Sequence, residues 1–195
     1  MIKYEELYKI VKEKLSEKRF KHSEGVVKRA LEYAEVYKVD KEIAKLSAIA
    51  HDIAKELTEE EIEEYLKKYN IELDDIEKVN KSLIHAKIGA YICKYEFGFS
   101  EDMVNAIKYH TTGREDMSIL EKIIYLADAT EENRSYDYTE YVDAIKTNID
   151  EGMVKVSKWV IDSLLERNNL IHLDSIKCYN FYILRKVIHE SGEFP

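Results

Sequence analysis

What most limits the folds open to this chain is how little breaks it up. Its single proline is Pro195, the last residue, and only six glycines are spread over 195 positions. Proline disrupts helix interiors, and glycine supplies the positive φ that tight β-hairpin turns require. A chain with almost none of either leaves helices uninterrupted and gives a β-rich fold few places to turn. The expectation is an all-α, single-domain helical bundle, long enough for one sizeable core.

The apolar pattern agrees. Leu7, Ile10, Val11 and Leu15 form one helical stripe, and Val26, Val27, Ala30, Ala34 and Tyr37 form the next. Ile43, Ala44, Leu46, Ser47, Ala50 and Ala54 predict a third helix of small residues, with Asp40 as its N-cap. Thr58 with Glu61, and Ser118 with Glu121, have capping-box spacing and open helices near 59–68 and 119–129. Ser100 is placed to cap a helix reaching His110, with Gly113 as its terminator. Residues 139–167 read as one or two helices with Trp159, Val160, Leu164 and Leu165 on a buried stripe. Asp174 is placed to cap a last helix carrying Ile176, Tyr179, Phe181, Ile183 and Leu184. No repeat or linker divides the chain.

A formal charge of −9 argues against a nucleic-acid polymer as partner, since phosphate backbones need clustered cations. It does not argue against a small anion, whose binding depends on the local field. Cys93 and Cys178 lack metal or redox spacing and fit a reducing, cytoplasmic setting. The N-terminus MIKYEELYKIVKEKL reads as a charged amphipathic helix and not a signal peptide, and no apolar run approaches membrane-spanning length.

Four of the six histidines fall within the first 110 residues. His22 opens a helix in KRFKHSEGV, His51 and Asp52 are adjacent in AIAHDIAKEL, His85 lies in SLIHAKIGA, and His110 ends a helix in IKYHTTG. Asp128 sits in the apolar IIYLADAT. A carboxylate in an apolar helix is costly unless paired or bound to a cation. Imidazoles and carboxylates together suit a divalent transition metal such as Fe, Mn, Co, Ni or Zn. On a continuous helix His51 and Asp52 point about 100° apart, and Lys55 returns to the His51 face one turn on, within reach of a substrate phosphate. Each residue alone has an ordinary structural reading; the joint pattern points to a metal site. His172 and His189 have no such companions and read as structural or exposed. The fifteen tyrosines read as core and rim residues.

The order His22, His51-Asp52, Asp128 resembles the HD superfamily of metal-dependent phosphohydrolases. The blocks KRFKHSEGVVKRALEYA, AIAHDIAKEL, SLIHAKIGA, AIKYHTTG, IIYLADATEENR and IHLDSIKCYNFYI are closer still to the YqeK family of symmetrical diadenosine tetraphosphate hydrolases. The chain departs where that family has proline after the motif glutamate, here Glu132, and Gly-Pro after the third histidine, here Ala86-Lys87.

The resemblance implies an HD-type helical domain over 1–195, with catalytic helices at about 18–135 and a C-terminal helical extension at about 139–190. It implies His22, His51, Asp52 and Asp128 as ligands of one or two divalent ions, iron first among them. His85 and His110 either complete a second metal site or contact substrate phosphate. The implied reaction is attack of metal-activated hydroxide on a dinucleoside tetraphosphate, releasing two ADP. Asp52, Lys55, His85 and His110 would be catalytic, and His22, Thr111, Thr112 and Arg134 would join Lys55, His85 and His110 in holding substrate. Arg19 adds positive potential at the rim. The resemblance leaves open a homodimer. Three other readings also remain open: an HD-type nucleotidase, a cyclic-nucleotide phosphodiesterase, and a nucleotide-binding sensor without turnover.

Overall fold

The computed structural model describes residues 1–191; Pro195 and the three residues before it, part of the expected single-domain span, lie outside the described residues. Among the described residues the chain forms eleven helices and no strand. They are α1 (Tyr4–Lys14), α2 (Glu17–Tyr37), α3 (Lys41–Ala50), α4 (Glu59–Lys68), α5 (Asp75–Val79), α6 (Lys81–Tyr95), α7 (Glu101–Lys108), α8 (Ile119–Thr130), α9 (Thr139–Thr147), α10 (Ile149–Glu166) and α11 (Leu173–Ser191).

Side-chain caps set many of the starts. Asp40 accepts the Glu42 and Ile43 amides at α3, and full capping boxes open α4 (Thr58/Glu61), α5 (Asp74/Glu77) and α8 (Ser118/Glu121). At α8 the box glutamate is fully buried, which is tolerable because the Arg114 fork grips both its oxygens at 2.8 and 2.7 Å. Ser100 precedes α7 without a side-chain cap bond, and that helix ends at Lys108, so His110 lies in the following turn and not on the helix.

Helix α2 is the hub, packed on α3 and α8, while α6 packs on α7 and α7 on α8. Helix α6 buries Ile84, Ala86, Ile88, Ala90, Ile92 and Cys93, an apolar distribution that fits a helix enclosed by its neighbours. The α9–α11 segment attaches chiefly through α8. Three expectations there need correction. The residues of α10 that are buried are Ile149, Gly152, Met153, Val154, Val156 and Ser157; Trp159, which packs against Tyr136 and Tyr141, is only partly covered, as are Val160 and Leu164, and Leu165 is exposed. Asp174 lies inside α11, and the His172 ring caps the helix instead, accepting the Asp174 amide at 3.1 Å. Leu184 is exposed, while Cys178 and Tyr182 make the core contact.

Gly113 ends the α7 turn at φ +66, with its amide bonded to the Tyr109 carbonyl at 2.8 Å. A methyl group there would stand 2.5 Å from the Cys178 sulfur. Gly113→Ala therefore combines left-handed strain with a clash against α11, and a loss of about 2–4 kcal/mol is expected in urea denaturation.

Candidate metal centre

Helix α3 stops at Ala50, and residues 51–56 follow as tight turns. Bonds from Ile53 N to Ala50 O (3.0 Å) and from Lys55 N to Asp52 O (2.8 Å) span three residues in place of four. This corrects the expectation of a continuous helix through Lys55. The HD pair sits on a helix terminus, with its side chains turned into the bundle beneath α2, α6 and α8. His22 is also displaced from the expectation: it lies in the second turn of α2, which Ser16 opens.

Six side chains meet there. His51 is fully buried, Asp52 2% exposed, His110 2%, His85 4% and His22 8%. Asp128 keeps 20% of its side chain accessible, so the centre opens on its side. His51 Nδ1 donates to the Ala48 carbonyl and His110 Nδ1 to the Ile107 carbonyl, each at 2.7 Å. His22 Nδ1 lies 3.1 Å from the Glu131 carboxylate. An imidazole whose Nδ1–H is engaged in this way carries a lone pair on Nε2. In all three rings that atom faces inward.

The inward atoms are spaced like ligands. His22 Nε2 is 3.0 Å from Asp128 Oδ1 and 3.7 Å from Asp52 Oδ2; His51 Nε2 is 3.4 Å from Asp52 Oδ2 and 3.9 Å from Asp128 Oδ1. Despite these approaches, the buried Nε2 atoms of His22 and His51 have no hydrogen-bond partner. They point at a common space and not at one another. Donors bound at about 2.1 Å and at right angles stand roughly 3 Å apart, so the set fits a transition-metal ion. On the other side, Asp52 Oδ1 lies 3.0 Å from His85 Nε2 and 3.6 Å from His110 Nε2, and those two nitrogens are 3.2 Å apart. Donor atoms of His22, His51 and Asp128, and of His51, Asp52 and His110, each lie within 4.8 Å of one another. Asp52 thus faces two ligand groups, one with each oxygen.

Electrostatics support the same arrangement. Burial alone would raise the Asp52 carboxyl, but His51, His110 and His85 around it hold it well below the ordinary carboxylate range. Asp128 is likewise lowered against burial, by His22 and Arg134. Burial lowers His51, and pushes His85 down to about 4 with help from Lys55, which keeps both rings neutral and able to ligate. His22 is raised, since Asp128 and Glu131 outweigh its burial. Burial lowers Lys55 despite nearby Asp52.

Three cations border the carboxylates. Lys55 Nζ is 3.4 Å from the His85 ring nitrogens. Arg19 Nη1 contacts Asp52 Oδ2 at 2.9 Å, a closer involvement than a rim position suggests. Arg134 grips the Asp128 carbonyl through Nε (3.0 Å) and Nη2 (2.7 Å) and also its carboxylate. Both arginines keep about a third of the side chain exposed (31% and 32%) on the open side. Thr111 and Thr112 line a separate cavity of about 110 Å³ with Lys87, Lys108, Tyr109 and His172, and the Thr112 hydroxyl donates to the Gly113 carbonyl. His172 is structural, with Nε2 on Asp74 at 2.6 Å, and His189 is exposed. Glu131, quoted in the sequence only as part of a motif, is 1% exposed and touches His22. The available signal was a glutamate closing an apolar helix that already carries Asp128.

Helices enclosing paired imidazoles and carboxylates, with an Asp contributed by a helix far along the chain, define an HD-type metal-binding domain. The family model described as HD domain matches residues 19–133. The chain is 37% identical to "Bis(5'-nucleosyl)-tetraphosphatase, symmetrical" of Halalkalibacterium halodurans, over 91% of this chain and 95% of that protein. It is 34% identical to the protein of the same name in Bacillus subtilis, over 92% and 97%. The crystal structure of a predicted HD superfamily hydrolase involved in NAD metabolism from Clostridium acetobutylicum superposes with a TM-score of 0.89 at 34% identity, covering 95% of this chain and 99% of that one. The chain belongs to the HD domain family, within the group of these symmetrical tetraphosphatases.

Proposed function

We propose that the protein hydrolyses diadenosine tetraphosphate symmetrically, adding one water and releasing two ADP. The observation that carries this is the convergence of partnerless Nε2 atoms and two carboxylates on one space, in a chain aligned end to end with symmetrical tetraphosphatases. His22, His51, Asp52 and Asp128 would hold a divalent ion, and Asp52 with His85 and His110 a second. The mixed nitrogen and oxygen donor set suits Fe, Mn, Co, Ni or Zn, and iron, which the family resemblance implies, is the proposed occupant. Bound there, the cation supplies acidified water and neutralises phosphoryl charge.

The chain's own groups do the rest. Arg19 and Arg134, which border Asp52 and Asp128 on the open side, would take phosphate oxygens there with the guanidinium nitrogens left free of those carboxylates. Lys55, held at the His85 ring, donates to the phosphoryl oxygens as charge builds on them. The packing of α2, α3, α7 and α8 keeps bulk water away from the deep wall, so these contacts act in a low dielectric. Thr111 and Thr112 line a cavity that none of the six centre residues borders, so they are not assigned to the reacting phosphates. The helices after residue 138 serve as an extension bracing α8. Buried, unpaired Cys93 and Cys178 suit a cytoplasmic setting, and among the described residues no helix is long and apolar enough to cross a membrane.

The deciding experiment supplies diadenosine tetraphosphate with iron, cobalt or manganese and separates the products. Two ADP per substrate are expected; ATP plus AMP would contradict the symmetric cut, and no cleavage with any of these ions would favour a binding protein. In the same assay, Lys55→Met should lower kcat by roughly 100-fold or more with metal content unchanged, the scale of losing one preorganised donor.

A further inference from the structure

We propose that Glu131 is the positioning residue of the metal centre: seated in a notch left open by Gly25, it fixes the His22 ring as its Nδ1–H tautomer and aims Nε2 at the ion. The inference rests on reading His22 as a metal ligand and extends that reading to two residues that touch no ion.

Gly25 stands inside α2, one turn after His22, and is buried. A glycine in a helix interior costs about 1 kcal/mol relative to alanine, so its presence there needs a reason in packing. A methyl group on Gly25 would stand 2.3 Å from Glu131 Oε2 and 2.8 Å from Asn133 Nδ2. The space that a side chain would fill is occupied by a carboxylate. Glu131 is the C-cap of α8, with φ −69 and ψ 154, so the chain leaves the helix extended and passes beneath α2 at this point.

Both carboxylate oxygens are used. Oε2 accepts the Asn133 amide at 2.6 Å and its side-chain nitrogen at 2.8 Å, and Oε1 faces His22 Nδ1 at 3.1 Å. Held from behind by Asn133, Oε1 has one orientation to offer the imidazole. A carboxylate on the far nitrogen of a ligating histidine fixes the tautomer and raises the basicity of the near one. The same short loop places Arg134, which grips Asp128 and comes within 3.9 Å of Glu131 Oε1. Two proposed ligands from different helices, His22 and Asp128, are thereby held by one turn of chain.

The test uses Glu131→Ala, Glu131→Gln, Gly25→Ala and the Gly25→Ala/Glu131→Ala double variant. Cobalt or manganese affinity is measured by chelator competition, the His22 tautomer by nitrogen NMR of the metal-free protein at a pH high enough to make that ring neutral, and stability by metal-free denaturation. Glu131→Ala should weaken metal binding by about 10–100-fold and abolish the fixed Nδ1–H signal. Glu131→Gln, whose amide oxygen still accepts from Nδ1, should recover part of the loss. Gly25→Ala should weaken metal binding as Glu131→Ala does, by expelling the carboxylate. In the Glu131→Ala background the Asn133 side chain, 2.8 Å from the added methyl but no longer held by the carboxylate, can swing aside, so the methyl should cost little further in affinity or stability. Unchanged affinity and tautomer in Glu131→Ala, which introduces no clash, would overturn the proposal, as would additive losses in the double variant. Wild-type protein that takes up neither metal would instead defeat the ligand reading, while the metal-free stability cycle would still report on the notch.

Discussion

Asp52→Ala protein should bind neither ion, and its turnover of diadenosine tetraphosphate should fall by roughly 10⁴-fold or more, the scale of removing one member of a set that acts together. Among the described residues Asp52 is the only carboxylate that faces both ligand groups, with Oδ2 toward His22 and His51 and Oδ1 toward His85 and His110. No neighbour can substitute: Asp128 reaches only the first group, and Glu131 is occupied by His22 and Asn133. The loss is therefore of a shared ligand, not of one contact among many. The fold should survive. Asp52 lies beyond the end of α3, and the apolar packing of α2, α3 and α8 does not pass through it. Far-UV circular dichroism should stay near wild type while metal analysis falls to background. Asp52→Asn separates charge from shape, since it keeps the volume and loses the anion; it should bind metal hardly better than the alanine variant. Substantial turnover in either variant would remove Asp52 from the centre of the chemistry.

Much of this architecture was legible because it rests on local rules. Asp40, Thr58/Glu61 and Ser118/Glu121 declare helix starts through bonds to amides two or three residues away, and the structure has those bonds. The six residues of the centre were legible for a different reason: a carboxylate such as Asp128 within an apolar helix demands a partner, and the scattered histidines were the partners on offer. What stayed hidden depends on distance along the chain. Glu131 meets His22 across 109 positions; its place at the end of the apolar helix that carries Asp128 marks it as unusual, but nothing in the sequence names His22 as its partner. The burial of α10 was misjudged because periodicity marks which face is apolar and not how fully its neighbours cover it: Trp159, beside Tyr136 and Tyr141, is only partly covered and Leu165 is exposed. The end of α3 at Ala50 was likewise invisible, since AIAHDIAKEL has helix-forming composition throughout; the turns that follow are held by the bonds from Ile53 to Ala50 and from Lys55 to Asp52.

His110→Ala should lower bound metal from two ions per chain to one and cut kcat by roughly 100- to 1000-fold, the scale of losing charge stabilisation at the reacting phosphorus. His110 is 2% exposed and its Nδ1 is committed to the Ile107 carbonyl, so its Nε2 lone pair faces His85 Nε2 at 3.2 Å. Two inward lone pairs at that separation repel unless a proton or a cation stands between them. Burial and neighbouring Lys55 push His85 down to about 4, so the ring is neutral and its one N–H either stands between the two nitrogens or moves to Nδ1 and leaves Nε2 for a cation. A cation shared by the two rings and Asp52 Oδ1 satisfies all three atoms at once. Were the two histidines phosphate contacts instead, His110→Ala would raise KM for the tetraphosphate and leave the ion count at its wild-type value. Metal analysis of the variant beside wild type separates these cases, with the kcat and KM changes read in the same preparation. A wild-type chain holding one ion, or a variant still holding two, would transfer His85 and His110 from the metal to the substrate.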